Sequence, residues 1–129
     1  MNNLSKSAVK TDLFASKAPL EWAITSNGTL YTAQIPIDNE GKVVEGGIEA
    51  QTRQTFANLK HTLEAAGTDM NSVLQVLIYV TKREYLADVN KVYAEQFEAP
   101  FPNRAAVVVA GLAREEMLVE FVVYAEVQK

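Results

Sequence analysis

The chain has no cysteine, one histidine and one tryptophan in its 129 residues. Without cysteine there is no disulfide, no thiolate metal site and no thiol nucleophile, and a reducing compartment such as the cytoplasm suits it. The single histidine, His61, leaves a transition-metal site without its usual donors. It stands between Lys60 and, three residues on, Glu64, and reads as an exposed, inert residue on the polar side of a helix. No window approaches the roughly 18 apolar residues of a membrane span. The opening "MNNLSKSAVK" has no apolar run of signal-peptide length. Positive charge is also lacking: 12 Lys and Arg against 16 Asp and Glu give a net charge of −4. Lys42, Arg53, Lys60, Lys82, Arg83 and Lys91 are scattered, whereas a nucleic-acid binder clusters its basic residues. Nucleotide-binding glycine patterns are missing. Thr32 has no histidine near it in sequence, so it reads as a lone hydroxyl and not as part of a triad.

What is present suits one globular domain spanning residues 1–129: 48% hydrophobic and 22% charged residues, at a length typical of a single folded unit. Residues 1–17 are mixed and polar and read as an arm. Leu20, Trp22 and Ile24 alternate as a strand would, Ser26-Asn27-Gly28 is a hairpin turn, and residues 30–35 form the return strand up to Pro36. A short strand over residues 42–44 follows a polar turn. "GGIEAQTRQTFANLKHTLEAAG" is the clearest helix, with Ile48, Thr52, Phe56, Leu59 and Leu63 along one stripe and Gly67 at its C-terminal cap. "NSVLQVLIYV" is apolar on both faces apart from Gln75, as an interior strand is. "TKREYLADVNKVYAEQF" carries a second stripe, Tyr85, Leu86, Val89, Val92, Tyr93 and Phe97, with Thr81 and Glu84 spaced as a capping box. Pro100 and Pro102 stop that helix. Strands at about 104–111 and 117–127, joined by the polar turn "AREE", pair as a closing hairpin.

The order β-β-(β)-α-β-α-β-β gives an α+β domain, a mixed sheet with two helices on one face. The last strand is apolar on both sides. Val119, Phe121 and Val123 point one way; Leu118, Val122 and Tyr124 point the other. Two apolar faces on so small a domain ask for a partner subunit.

Two charged residues interrupt this pattern. Arg104 stands before "AAVVVA", and Glu120 sits amid Leu118, Val119, Phe121 and Val122. Arg104 is either a surface residue between a proline turn and a strand, or a planar fork placed to clamp a carboxylate. Glu120 is either a carboxylate solvated at a rim or one whose pKa is raised by desolvation. In a closing hairpin Glu120 lies opposite about Val107, roughly 10 Å along the sheet from Arg104 at the usual strand rise. A small substrate fits between them if both side chains reach one cavity. Asn90, in "DVNKVY", reads equally as a polar residue on a helix surface.

"AQIPID", "QTRQTFANLKHTLEAAG", "VNKVYAEQF", "FPNRAAVVVAGL" and "LVEFVVYAEV", in that order, resemble the Rid family of reactive-intermediate deaminases, also called the YjgF family, from about residue 18 to the C-terminus. The resemblance implies a chorismate-mutase-like, mixed six-stranded sheet with two helices on one face. It also implies a homotrimer whose sheets form a central barrel, with active sites in clefts between subunits. The implied activity is metabolite damage control: hydrolysis of enamines and imines, such as 2-aminoacrylate and 2-iminopropanoate, to 2-oxo acids and ammonia, with neither metal nor organic cofactor. On this resemblance Arg104 binds the substrate carboxylate and Glu120 positions the attacking water. Asn90 matches the asparagine of the family's second-helix motif. Thr32 and Ala33 replace the Ser-Gly of the family's "SGQ", Ala106 stands where some members carry Cys, and Leu20 falls near a site tyrosine. The family also suggests two other readings, a non-enzymatic trimer that binds small metabolites and an RNA-cleaving translation inhibitor. The acidic charge counts against the second.

Overall fold

Residues 4–128 are described by a computed structural model. Six strands are present: β1 (Ser7–Ala8), β2 (Ala23–Ser26), β3 (Thr29–Gln34), β4 (Val73–Val80), β5 (Asn103–Val108) and β6 (Val119–Glu126). Helix α1 (Gly47–Ala65) lies between β3 and β4, and α2 (Leu86–Gln96) between β4 and β5. The sheet order is β1-β2-β3-β6-β4-β5, with β4 and β5 parallel and every other pair antiparallel. This is the α+β, mixed six-stranded fold with two helices that the sequence leads one to expect.

Local chemistry explains the elements that were legible. Asn27 and Gly28 both take positive φ, 50° and 85°, as a two-residue hairpin turn requires, and Ser26 pairs with Thr29 across it. α1 ends at Gly67, φ 81°, where the Gly67 N–H donates to Glu64 O at 3.0 Å and the Thr68 N–H to Leu63 O at 2.9 Å. Only a residue tolerant of left-handed φ closes a helix in this way.

Four expectations need correction. The largest concerns the last two strands, which do not pair with each other. β4 lies between them, parallel to β5 on one side and antiparallel to β6 on the other. α2 carries the chain across one sheet face and returns it parallel to β4, as a β-α-β crossover does. β4, apolar on both faces, then accepts β6 along its remaining edge. The capping box is also absent. The Thr81 N–H donates to Leu118 O at 3.1 Å, and the chain passes through a 3-10 turn at Arg83–Tyr85 before α2 starts at Leu86 without a side-chain cap. Because Thr81 still belongs to the sheet, the helix begins later. Residues 42–44 make only a single bridge, Ile37 to Val43, and the sixth strand is β1 from the arm. Leu20 lies outside β2, which begins at Ala23.

Among the described residues the arm is held down from Ser7 to Phe14. Its contacts run from the β1 pairing through a Val9 N–H to Ala23 O bond of 3.0 Å to the Phe14 ring packed against Gly41. A Cβ on Gly41 would come within 2.6 Å of that ring. His61 takes part, since its Nε2 accepts from the Asp12 backbone N–H at 2.9 Å. It is a latch for the arm and not an inert surface residue.

The core lies between the helices and one sheet face. Phe56, Leu59, Leu63, Val89, Val92, Tyr93 and Phe97 pack on Leu30, Val76, Ile78, Val80, Val119, Phe121 and Val123. Buried beside them on α1 is a polar stripe, Gln51, Thr52, Thr55, Asn58 and Thr62. Asn58 donates to Ile35 O and Ile37 O at 3.0 and 2.9 Å. Gln34 donates to Thr32 and Thr62, both at 2.9 Å. Gln51 links Glu116 O and the Leu118 N–H at 2.9 and 2.8 Å. Asn58 and Gln51 thereby bind loop backbone, and Gln34 ties β3 to α1 through side-chain hydroxyls.

Candidate active site

Residues aligned across neighbouring strands share a face of the sheet. Arg104 is aligned with Val76, which is fully buried under the helices, so Arg104 projects on the helix-covered side. α2 meets it there. Arg104 Nη2 donates to Asn90 Oδ1 at 2.6 Å, and the guanidinium carbon lies 4.6 Å from the centroid of the Tyr93 ring. Among the described residues Arg104 has no carboxylate partner. The ion pairs among the described residues join Arg53 to Glu49 and Glu95, and Lys91 to Glu49. A guanidinium stacked on one face, bonded at one corner and unpaired in charge is prepared for an anion. Ala106, two residues on and on the same face, is exposed and leaves room beside it.

Glu120 belongs to the other face. It is aligned with Tyr79 and flanked by the buried Val119 and Phe121, so it projects away from the helices. The carboxyl is half-buried and has no hydrogen-bond or ion-pair partner among the described residues. Burial therefore pushes its pKa up from the ordinary carboxylate value. Around it the open face is apolar, with Leu77, Tyr79, Val122, Tyr124, Tyr31 and Ala33. Tyr31 and Tyr124 meet edge to face at 5.5 Å. Near the β2–β3 side this face holds a cavity of about 570 Å³, bordered by Trp22, Ile24, Tyr31, Ala33, Val122 and Tyr124.

A single chain therefore does not bring Arg104 and Glu120 together. Glu120 is level with Val107 and shares its face, but lies two strands away from it, while Arg104 projects from the opposite face. Standard sheet spacings put the Arg104 and Glu120 Cα atoms about 14 Å apart. Arg104, Asn90 and Ala106 gather at the β5 edge; Glu120 and Ala33 stand on the open face. Thr32 turns its hydroxyl toward the helices, donating to Trp22 O and accepting from Gln34, while still bordering the cavity. Leu20 is 47% exposed and borders a neighbouring depression along the arm.

Sequence reasoning missed Trp22, Tyr31 and Tyr124 at the cavity and Tyr93 beneath Arg104. Tyr31 and Tyr124 sit on alternating strand positions and Trp22 just before β2, a pattern that packing alone explains. Tyr93 was read only as part of the buried stripe of α2. It is 6% exposed, burial pushes its phenol pKa up while the charge of Arg104 pulls it down, and its hydroxyl has no partner. Among the described residues, no three His, Cys, Asp or Glu side chains are grouped to hold a metal ion. No helix there is long and apolar enough to cross a membrane.

Comparison with known proteins adds to this geometry. Residues 10–127 match the family model described as endoribonuclease L-PSP. The mitochondrial protein mmf1 of Schizosaccharomyces pombe is 39% identical over 106 residues, which cover 81% of this chain but 65% of that protein. The mouse protein named 2-iminobutanoate/2-iminopropanoate deaminase is 32% identical over 102 residues, 78% of this chain and 76% of the mouse protein. A crystal structure from Yersinia pestis, of a protein of unknown function in the conserved Rid family, superposes with a TM-score of 0.90 at 37% identity. It covers 95% of this chain and 99% of that one.

Proposed function

Because the chain belongs to the endoribonuclease L-PSP family, the Rid family of the sequence resemblance, we propose that it hydrolyses reactive 2-imino acids to 2-oxo acids and ammonia. The observation that carries this reading is the uncommitted Arg104, held by Asn90 and Tyr93 with no acidic partner. In the proposed reaction it grips the substrate carboxylate through its fork, which orients the imine carbon and removes reactant freedom. Water adds its oxygen to the carbon of the protonated imine as the C=N electron pair moves to nitrogen, and the Glu120 carboxylate takes the proton released. Returned to nitrogen, that proton makes the amine a leaving group. The C–N bond breaks, ammonia departs, and the Glu120 carboxylate takes the hydroxyl proton as the carbonyl forms. A desolvated carboxyl with a raised pKa suits a group that takes and returns one proton. An enamine such as 2-aminoacrylate first gains a proton at its terminal carbon and then follows the same course.

Since Arg104 and Glu120 lie on opposite faces of one sheet, the proposed site combines the β5 edge of one copy with the open face of the next. The apolar open face and the exposed Val107 and Val108 on an edge strand support association of copies, in a homotrimer with a central barrel. Ala33, Thr32 and Leu20 border the site from one copy; Asn90 and Ala106 do so from the other. Neither a metal nor an organic cofactor is part of the proposed reaction. RNA cleavage, which the family description names, finds little support in a net charge of −4 and a histidine occupied by the arm. The cytoplasm is the proposed compartment; fractionation distinguishes it from the mitochondrial placement of the fission-yeast relative.

The test generates imines in place with an amino-acid oxidase or dehydratase acting on a panel of amino acids, and follows their disappearance. Acceleration by the protein is expected for carboxylate-bearing imines. No acceleration on any member of the panel contradicts the enzyme reading and leaves a metabolite-binding or regulatory trimer.

A further inference from the structure

Arginine is a long side chain that loses much rotamer freedom when it grips a ligand, so a site that fixes the guanidinium beforehand binds better. Two contacts do this for Arg104. Asn90 takes one N–H at 2.6 Å, which fixes a corner but leaves the plane free to turn. Tyr93 lies under the face at 4.6 Å and restrains that remaining motion. The ring is itself immobile: it packs edge to face on Phe56 at 6.0 Å and tilted on Phe97 at 4.8 Å, and it is 6% exposed. Its hydroxyl is buried without a partner, so no hydrogen bond holds the ring and packing alone sets its angle.

We propose that Tyr93 is the positioning residue of the anion site, its ring setting the plane of the Arg104 guanidinium so that the edge not bonded to Asn90 is left for the ligand carboxylate. The inference rests on the reading of Arg104 as the carboxylate-binding residue. It adds that the strength of this grip depends on the electron density of a ring that never touches the ligand. A cation over a ring is attracted by the negative face of the π system, and ring fluorines deplete that face with little change of volume.

The experiment measures calorimetric binding of 2-oxobutanoate, a stable carboxylate of the product class, to the full-length protein. Tyr93→Phe removes only the unpartnered hydroxyl, and we expect stability at least equal to wild type and a Kd within about twofold. From that parent, phenylalanines with one, three and five ring fluorines are placed at position 93. The Kd should rise with each step, to about tenfold at five fluorines, with thermal melting little changed. In the Arg104→Ala background the same series should be flat. A flat series with Arg104 present, while Arg104→Ala still weakens binding, overturns the role of Tyr93 alone. Binding unaffected by Arg104→Ala, or no binding by the unmodified protein, overturns the carboxylate site and this inference with it.

Discussion

Glu120 and Phe121 are neighbours on β6 and meet opposite surroundings. Phe121 is fully buried against Phe56 at 4.8 Å, beneath the helices. Glu120 lies on a face with no helix over it, half-buried by apolar side chains and without a partner for its charge. The covered face behaves as a finished core, with polar groups bonded through Asn58, Gln34 and Gln51 and the Tyr93 hydroxyl as the exception. The open face has the composition of a core and the exposure of a surface. The difference teaches that the fold is complete within one chain and the proposed site is not.

Substitutions can sharpen or break that contrast. The largest effect belongs to the covered face. Phe121→Ala should cost about 3–5 kcal/mol of stability, read by denaturant unfolding, through lost burial and the cavity left behind. On the open face Val122→Ala, one residue away, should cost under about 1.5 kcal/mol at protein concentrations where the copies are separate. Equal costs would break the distinction between the two faces.

Next in size is the β5 edge. Arg104→Ala should lower kcat/KM for carboxylate-bearing imines about 100-fold or more, and Arg104→Lys should recover only part of the loss because the fork is gone. Melting temperatures should hardly move, since Arg104 has no ion pair to lose among the described residues. A large drop in stability with little change in turnover would make Arg104 a structural residue.

The smallest effect lies at Glu120 and depends on pH. The folded-state pKa is raised, so the stability linked to its protonation is fully present below the ordinary glutamate value and is lost as pH rises through the raised value. Glu120→Gln removes this loss. The variant should match wild type in melting temperature near pH 4 and exceed it near pH 8, while turnover falls at both. A stability gain independent of pH would show that desolvation of the charge is not the cause.

How far the sequence could reveal this follows from what each feature depends on. The Asn27-Gly28 turn, the stripe of α1 and the apolar β4 rest on local chemistry, and they were readable. The separation of β5 from β6 was not, because strand order depends on which edge of β4 each strand finds. Nothing local marks Asn58 as a buried residue, because the loop carbonyls it binds, Ile35 O and Ile37 O, are distant in sequence. Arg104 and Glu120 stood out as charges in apolar runs. Their placement on opposite faces required the register, and Tyr93 as a platform required the contact of α2 with β5.

The claim that the two halves belong to different copies has a direct test. Arg104→Ala and Glu120→Gln, each expected to be strongly impaired alone, are unfolded, mixed in equal amounts and refolded together. If each site takes Arg104 from one copy and Glu120 from another, random assembly should leave about a quarter of the sites intact, with activity near that fraction of wild type. Activity no greater than that of the separate variants would contradict the account and place the whole site within one chain.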